Sequence, residues 1–206
     1  MSSKISIKEA KVQLRKAVKK KLKHVSNQSL ILQSDDVTEK LIQTDYFRDS
    51  KKIAIFMNMQ HLEIQTLQLI RHCFESKKSV FLPKCNGENN ESYLSMLKMH
   101  SFEDVTKLQP DGKYGLLEPK NGENVFDEGG LDLIVVPGVA FTKFKARLGH
   151  GVGYYDKFFD MYLKKFGKTP QLIGVGLKEQ LVEDIPMEDH DWSLDCVIIS
   201  GYDAFI

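Results

Sequence analysis

Short apolar runs separated by stretches of helical periodicity restrict this chain to a layered α/β fold. Ile53-Ala54-Ile55-Phe56-Met57, Ser79-Val80-Phe81-Leu82-Pro83, Leu131-Asp132-Leu133-Ile134-Val135-Val136, Leu172 to Leu177 and Cys196 to Ser200 read as strands, several of them covered on both faces. Residues 5–24, 29–47, 63–76 and 154–166 read as helices, the last stopped at Gly167. Tyr93 to Met99 reads as an edge strand, and residues 107–130, rich in glycine and proline, as loop. The alternation predicts a three-layer sandwich, a mostly parallel sheet flanked by helices, in one domain spanning residues 1–206. Ligands of such sheets bind beyond the carboxyl ends of the strands. There the strand at 131–136 delivers a glycine-rich loop, and the strand at 53–57 delivers Asn58 to Glu63.

The charge balance narrows the partners. Lys+Arg of 29 against Asp+Glu of 28 leaves a net charge of +1, which argues against a general polyanion binder and against nucleic acid. The longest apolar run, Leu133 to Phe141, is broken by Pro137-Gly138 and is too short to span a bilayer. Cys73, Cys85 and Cys196 are odd in number and widely spaced, so they read as reduced thiols. The N-terminus lacks an apolar signal region. Glu9 and the scarcity of arginine before residue 20 argue against a mitochondrial presequence. The expectation is a cytoplasmic protein with no membrane partner.

Arg147-Leu148-Gly149-His150-Gly151-Val152-Gly153-Tyr154-Tyr155-Asp156 sets glycines at every second position between a cation and a carboxylate. Glycine in ordered backbone costs roughly 0.5–1 kcal/mol relative to alanine, so the cluster points to main-chain N–H groups closely approaching a ligand. Arg147 before it and Asp156 after it suit a polyphosphate with its metal ion. A plain glycine-rich turn between strand and helix fits the same residues. Neither common nucleotide fingerprint is present. The Walker A pattern is missing, Tyr154 stands where a dinucleotide loop needs glycine, and Glu179 spoils Gly174-Val175-Gly176 in the same way.

Other candidates surround this loop. Lys11 and Arg15 lie four apart on one helix face, which a solvated basic face explains equally well. The Arg147 guanidinium suits bidentate phosphate contact. Asp156, together with Asp191 of the Glu188-Asp189-His190-Asp191 turn, offers the carboxylate pair that Mg²⁺ takes, although acidic turns commonly face solvent. Glu63 can begin a helix, where its charge favours the dipole. Tyr114 sits in a loop where an aromatic ring can stack on a flat ligand.

These segments, taken in order, resemble the 5-formyltetrahydrofolate cyclo-ligase family, also called methenyltetrahydrofolate synthetases. The resemblance includes Lys11-Val12-Gln13-Leu14-Arg15, Phe56-Met57-Asn58-Met59-Gln60 leading to Glu63, and Tyr114-Gly115-Leu116-Leu117-Glu118-Pro119. It continues through Asp132 to Phe141 and is most specific at Arg147 to Asp156. It implies a fold like that of NagB, RpiA and the CoA transferases. The implied reaction is ATP- and Mg²⁺-dependent closure of 5-formyltetrahydrofolate to 5,10-methenyltetrahydrofolate. Lys11, Arg15 and Arg147 would then grip ATP phosphates, with Arg147 catalytic. Gly149, His150, Gly151, Val152, Gly153, Tyr154 and Tyr155 would line the nucleotide, and residues 150–154 the formyl group as well. Asp156 and Asp191 would hold Mg²⁺, while Met57, Glu63 and Tyr114 would face the folate. The partners implied are 5-formyltetrahydrofolate and ATP, and the chain is expected to be a monomer. Two positions depart from the family pattern. Val152 replaces a basic residue or glycine, and Leu62 lengthens the turn before Glu63.

Overall fold

The structure is a computed structural model that describes residues 6–59, 62–87, 92–111 and 115–206. Its frame is a six-stranded sheet formed by β1 (Lys52–Ile55), β2 (Ser79–Asn86), β3 (Tyr93–Met99), β6 (Leu133–Val136), β9 (Gln171–Gly176) and β10 (Cys196–Ile199), in the order β10-β9-β6-β1-β2-β3. Every pairing is parallel except that of β2 with β3, the edge strand expected at 93–99. Hence the sheet is α/β and mostly parallel. Two short ribbons complete the strands: β4 (Pro110–Asp111) with β5 (Leu116–Leu117), and β7 (Ala140–Phe141) with β8 (Arg147–Leu148).

Side-chain alternation divides the core into two layers. Ile53, Ile55, Leu133, Val135, Ile173 and Val175 face one side, packed by α1 (Ile7–Leu22), α2 (Asn27–Ile42), α3 (Asp45–Asp49), α4 (Leu67–Glu75) and α5 (Phe102–Thr106). Ala54, Ile134, Val136, Leu172 and Val197 face the other, under Phe158, Phe159 and Tyr162 of α6 (Tyr154–Phe166). Burial on both faces explains why these strands read as continuous apolar runs instead of alternating ones.

Local chemistry sets the element ends. Ser6 and Glu9 cap α1 reciprocally: the Glu9 N–H donates to Ser6 Oγ at 3.2 Å, and the Ser6 N–H donates to Glu9 Oε2 at 3.0 Å. The helix expected over 29–47 is broken into α2 and α3, because Thr44 accepts from the Phe47 N–H at 3.2 Å and starts a new helix. The segment 107–130 is not wholly loop, since it holds the β4–β5 ribbon as well as turns. Helix α4 begins at Leu67, so Glu63 lies in the turn before it and not at its start.

One buried hydroxyl ties α6 to the sheet. Tyr162 Oη accepts from the Leu131 N–H at 2.7 Å and donates to Leu131 O at 3.1 Å. Tyr162→Phe is expected to cost about 1–3 kcal/mol, because it orphans a buried N–H. Urea titration against the parent protein checks this, and an unchanged midpoint would refute it.

Candidate active site

The chain reverses its direction of winding between β1 and β6. From β1 it runs outward to β2 and β3, then returns to β6 and proceeds to β9 and β10 on the other side. A crevice opens beyond the carboxyl ends of strands at such a switch point. A cavity of about 900 Å³ lies there, lined by Phe56 and Met57 after β1, Pro137 after β6, and the glycine loop. Helix α1 forms its outer wall.

One end of this cavity is cationic and tied by ion pairs. Lys11 Nζ, with its side chain only 8% exposed, donates to Asp191 at 2.5 Å and to Glu188 at 2.7 Å. Arg15 Nε donates to Gly149 O at 2.8 Å. Arg147, only 4% exposed in its side chain, donates through Nη2 to Asp156 at 2.7 Å and through Nη1 to Pro137 O at 3.4 Å. Its Nε is buried without a partner among the described residues. Asp156 also accepts from the Trp192 N–H at 3.4 Å, so the start of α6 and the 188–191 turn converge. Glu188, His190 and Asp191 each place a ligand atom within 4.8 Å of the others.

The glycine loop joins this end to the interior. Gly151 and Gly153 have φ of 109° and 77°, which side-chain-bearing residues adopt at a cost. Gly153 precedes the first turn of α6 in that left-handed conformation, and a Cβ on Gly151 would lie 3.5 Å from the Arg15 guanidinium. His150 Nε2 lies 3.2 Å from Glu63 Oε1, and Glu63 Oε2 accepts from the Met59 N–H at 3.0 Å. Glu63 is buried, and Val152 is exposed at the rim.

Part of the lining is apolar, formed by Pro83, Leu94, Leu116 and Leu117. Glu118 and Cys85 meet there. Glu118 Oε1 accepts from the Cys85 N–H at 3.2 Å, and burial plus the neighbouring carboxylate pushes the Cys85 thiol up to about 12. Burial likewise holds the Tyr155 phenol well above its usual range, reinforced by the charges of Glu63 and Glu118 and opposed by Arg147. Tyr155, which also lines the cavity, is thereby kept protonated.

All sequence-predicted site residues among those described line this one cavity: Lys11, Arg15, Met57, Glu63, Arg147, Gly149 to Asp156, and Asp191. Tyr114 lies outside the described residues. Sequence reading did not single out Glu188, the second partner of Lys11, nor Glu118. Position 188 was visible only as part of an acidic turn, and Glu118 only as part of a loop motif.

Two shifts set the sign of a pH dependence. Burial opposes the Lys11 charge, yet hydrogen bonds and attraction from Asp191 and Glu188 outweigh it and raise its pKa. Burial would push the Asp191 carboxyl up, but Lys11, the Glu188 N–H and His190 hold it below 3.8. A depressed acid stabilises above its unfolded value and loses that contribution as pH falls through its native value. A raised lysine contributes below its unfolded value and loses that contribution as pH rises through its native one. Trp192, the sole tryptophan, follows Asp191 and donates its indole N–H to Asp160 at 2.9 Å. Its fluorescence is expected to stay flat from roughly pH 5 to 9 and to change below about pH 4 as α1 loosens. A transition centred near neutrality would contradict this assignment.

Fold and cleft together define an α/β protein with a large cavity at the switch point of a mostly parallel sheet. The model of the 5-formyltetrahydrofolate cyclo-ligase family matches residues 7–200, and the chain belongs to that family. It is 33% identical to the 5-formyltetrahydrofolate cyclo-ligase of Saccharomyces cerevisiae over 197 residues, covering 90% of this chain and 92% of the relative. It is 32% identical to that of Mus musculus, covering 94% and 95%. The solved structure of Aquifex aeolicus 5,10-methenyltetrahydrofolate synthetase superimposes with a TM-score of 0.73 at 31% identity, covering 93% of this chain and 90% of the other.

Proposed function

We propose that this chain closes the ring of 5-formyltetrahydrofolate to 5,10-methenyltetrahydrofolate, consuming ATP with Mg²⁺ and releasing ADP and phosphate. The observation that carries this reading is the glycine loop itself, set between Lys11, Arg15 and Arg147 on one side and Glu63 with His150 on the other.

The chemistry follows from a poor leaving group. The formyl oxygen attacks the γ-phosphorus of ATP, and ADP leaves. N10 then attacks the activated formyl carbon, N10 loses its proton, and the oxygen departs with phosphate. Lys11, Arg15 and Arg147 offset the charge of the phosphates during transfer. The buried Arg147 Nε, lacking an acceptor, fits an anion at this end. Asp156 and Asp191 supply hard oxygen donors from converging segments, a donor set that suits Mg²⁺. When bound, the metal neutralises phosphate charge. Loop residues 149–155 bind the nucleotide, and residues 150–154 also border the formyl group. Met57 and Glu63 face the folate, with Glu63 held in place by the Met59 N–H and His150. No helix among the described residues is long and apolar enough to cross a membrane. The free thiols of Cys73, Cys85 and Cys196 suit a reducing compartment, and the protein is proposed to act there on small molecules as a one-domain monomer.

The test mixes protein, 5-formyltetrahydrofolate and Mg-ATP and follows methenyl absorbance. Product is expected only when substrate, ATP and Mg²⁺ are all present, and its absence with folded protein would sink the reading. A nucleotide-binding module without catalysis would bind ATP yet release no folate-dependent ADP.

A further inference from the structure

Two parts of the cavity lining differ in what they can recognise. Lys11, Arg15 and Arg147 form a cationic part. Another is hydrocarbon, interrupted by a carboxylate, that of Glu118, whose residue is 7% exposed. Glu118 follows β5, and its Oε1 accepts from the Cys85 N–H of β2 at 3.2 Å, which fixes the carboxylate at the cavity wall. The Cys85 thiol hydrogen-bonds both to it and to Tyr154 of the glycine loop. Glu63, the other buried carboxylate of the cavity, is committed differently. It sits beside the glycine loop, holding His150 and the Met59 N–H.

A carboxylate only accepts hydrogen bonds, and it can take several donors at once. Its natural complement is a flat ring presenting two adjacent N–H donors, which a carboxylate meets with paired bonds, as it meets a guanidinium. In a wall of Pro83, Leu94, Leu116 and Leu117 such bonds are strengthened by the low dielectric, and a ligand lacking one donor leaves the carboxylate underserved. The pteridine of a folate carries that pattern on its pyrimidine edge: a ring amide N–H beside an exocyclic amine.

We propose that Glu118 is a specificity-determining residue that accepts hydrogen bonds from the ring N–H and exocyclic amine of the substrate's pteridine. This rests on the reading of the cleft as a folate site. It orients the molecule with its formyl group toward the glycine loop and its pyrimidine edge toward β2.

The test is Glu118→Gln, which keeps volume and removes charge. It is assayed with 5-formyltetrahydrofolate and with an analogue lacking the 2-amino group. KM for the folate is expected to rise about 10²-fold, with kcat and the KM for ATP within about threefold of the parent. The analogue should show a rise on the parent enzyme and a smaller further rise on E118Q, because both changes break the same paired contact: one removes a donor, the other the second acceptor and the charge. A folate KM within about threefold of the parent would overturn the proposal. So would an equal analogue penalty on both enzymes, which a merely structural tether to Cys85 predicts. If E118Q does not fold, the parent enzyme decides, and an analogue KM equal to that of the folate overturns the assignment. A parent enzyme inactive on 5-formyltetrahydrofolate sinks the broader function, whereas an active parent with an indifferent E118Q sinks only this inference.

Discussion

Arg147→Ala is expected to lower kcat/KM by about 10²–10³-fold, the size of effect seen when a preorganised donor is removed from a developing charge. The side chain is fixed before any ligand arrives. Asp156 holds Nη2 at 2.7 Å, Pro137 O accepts from Nη1 at 3.4 Å, and the guanidinium lies 5.8 Å from the Tyr155 ring centroid. Such a cation requires little reorganisation when charge moves to the phosphates. Lys11 and Arg15 remain in the variant, so activity falls without vanishing. The fold should survive, because Asp156 keeps the Trp192 N–H and is 20% exposed in its side chain. Arg147→Lys should recover little of the loss, since an ammonium cannot reproduce the planar fork. Methenyl absorbance gives the rate and circular dichroism the fold. A rate equal to the parent's removes Arg147 from the mechanism.

The features legible in the sequence were those written within a few residues. Ile53 to Ile55 and Leu133 to Val136 announced buried parallel strands because both of their faces are covered. The loop from Arg147 to Asp156 was legible through its glycine spacing between a cation and a carboxylate, and it lines the cavity. Long-range pairings were not legible. Lys11 and Asp191 are 180 positions apart, and nothing near either names the other. Arg15 could be read as a solvated cation because its partner, Gly149 O, is a main-chain atom. The β7–β8 hairpin stayed hidden because its strands are two residues each, too short for any alternation to register. Thr44 was the exception, a local capping signal that lay in plain view within an otherwise helical stretch.

That hidden hairpin carries the second large effect. Phe141→Ala is expected to destabilise the protein by about 3–5 kcal/mol, which for a chain of this size lowers Tm by roughly 6–20 °C. Phe141 is fully buried on β7, and its cross-strand partner on β8 is Arg147. Its ring occupies a nest made by glycines from two segments. A Cβ on Gly138 or Gly174 would lie 2.7 Å from the ring, and one on Gly176 would lie 3.0 Å from it. Gly174-Val175-Gly176, which resembles part of a nucleotide loop, is thus an interior strand hollowed to admit an aromatic side chain. Removing the ring empties that hollow, and the surrounding glycines have no side chains with which to refill it. Gly174→Ala provides the complementary test, since it overfills the same space at a cost of roughly 1–3 kcal/mol. Both changes act on the contact between Phe141 and Gly174, although a Cβ at 174 would also lie 2.5 Å from Leu194 Cδ1, so the alanine at 174 should cost less, without becoming neutral, once Phe141 is gone. Thermal unfolding of the two single variants and the double variant measures this coupling. Additive losses would mean that the ring and the glycines do not share the packing described, and that Arg147 owes its position to something other than this nest.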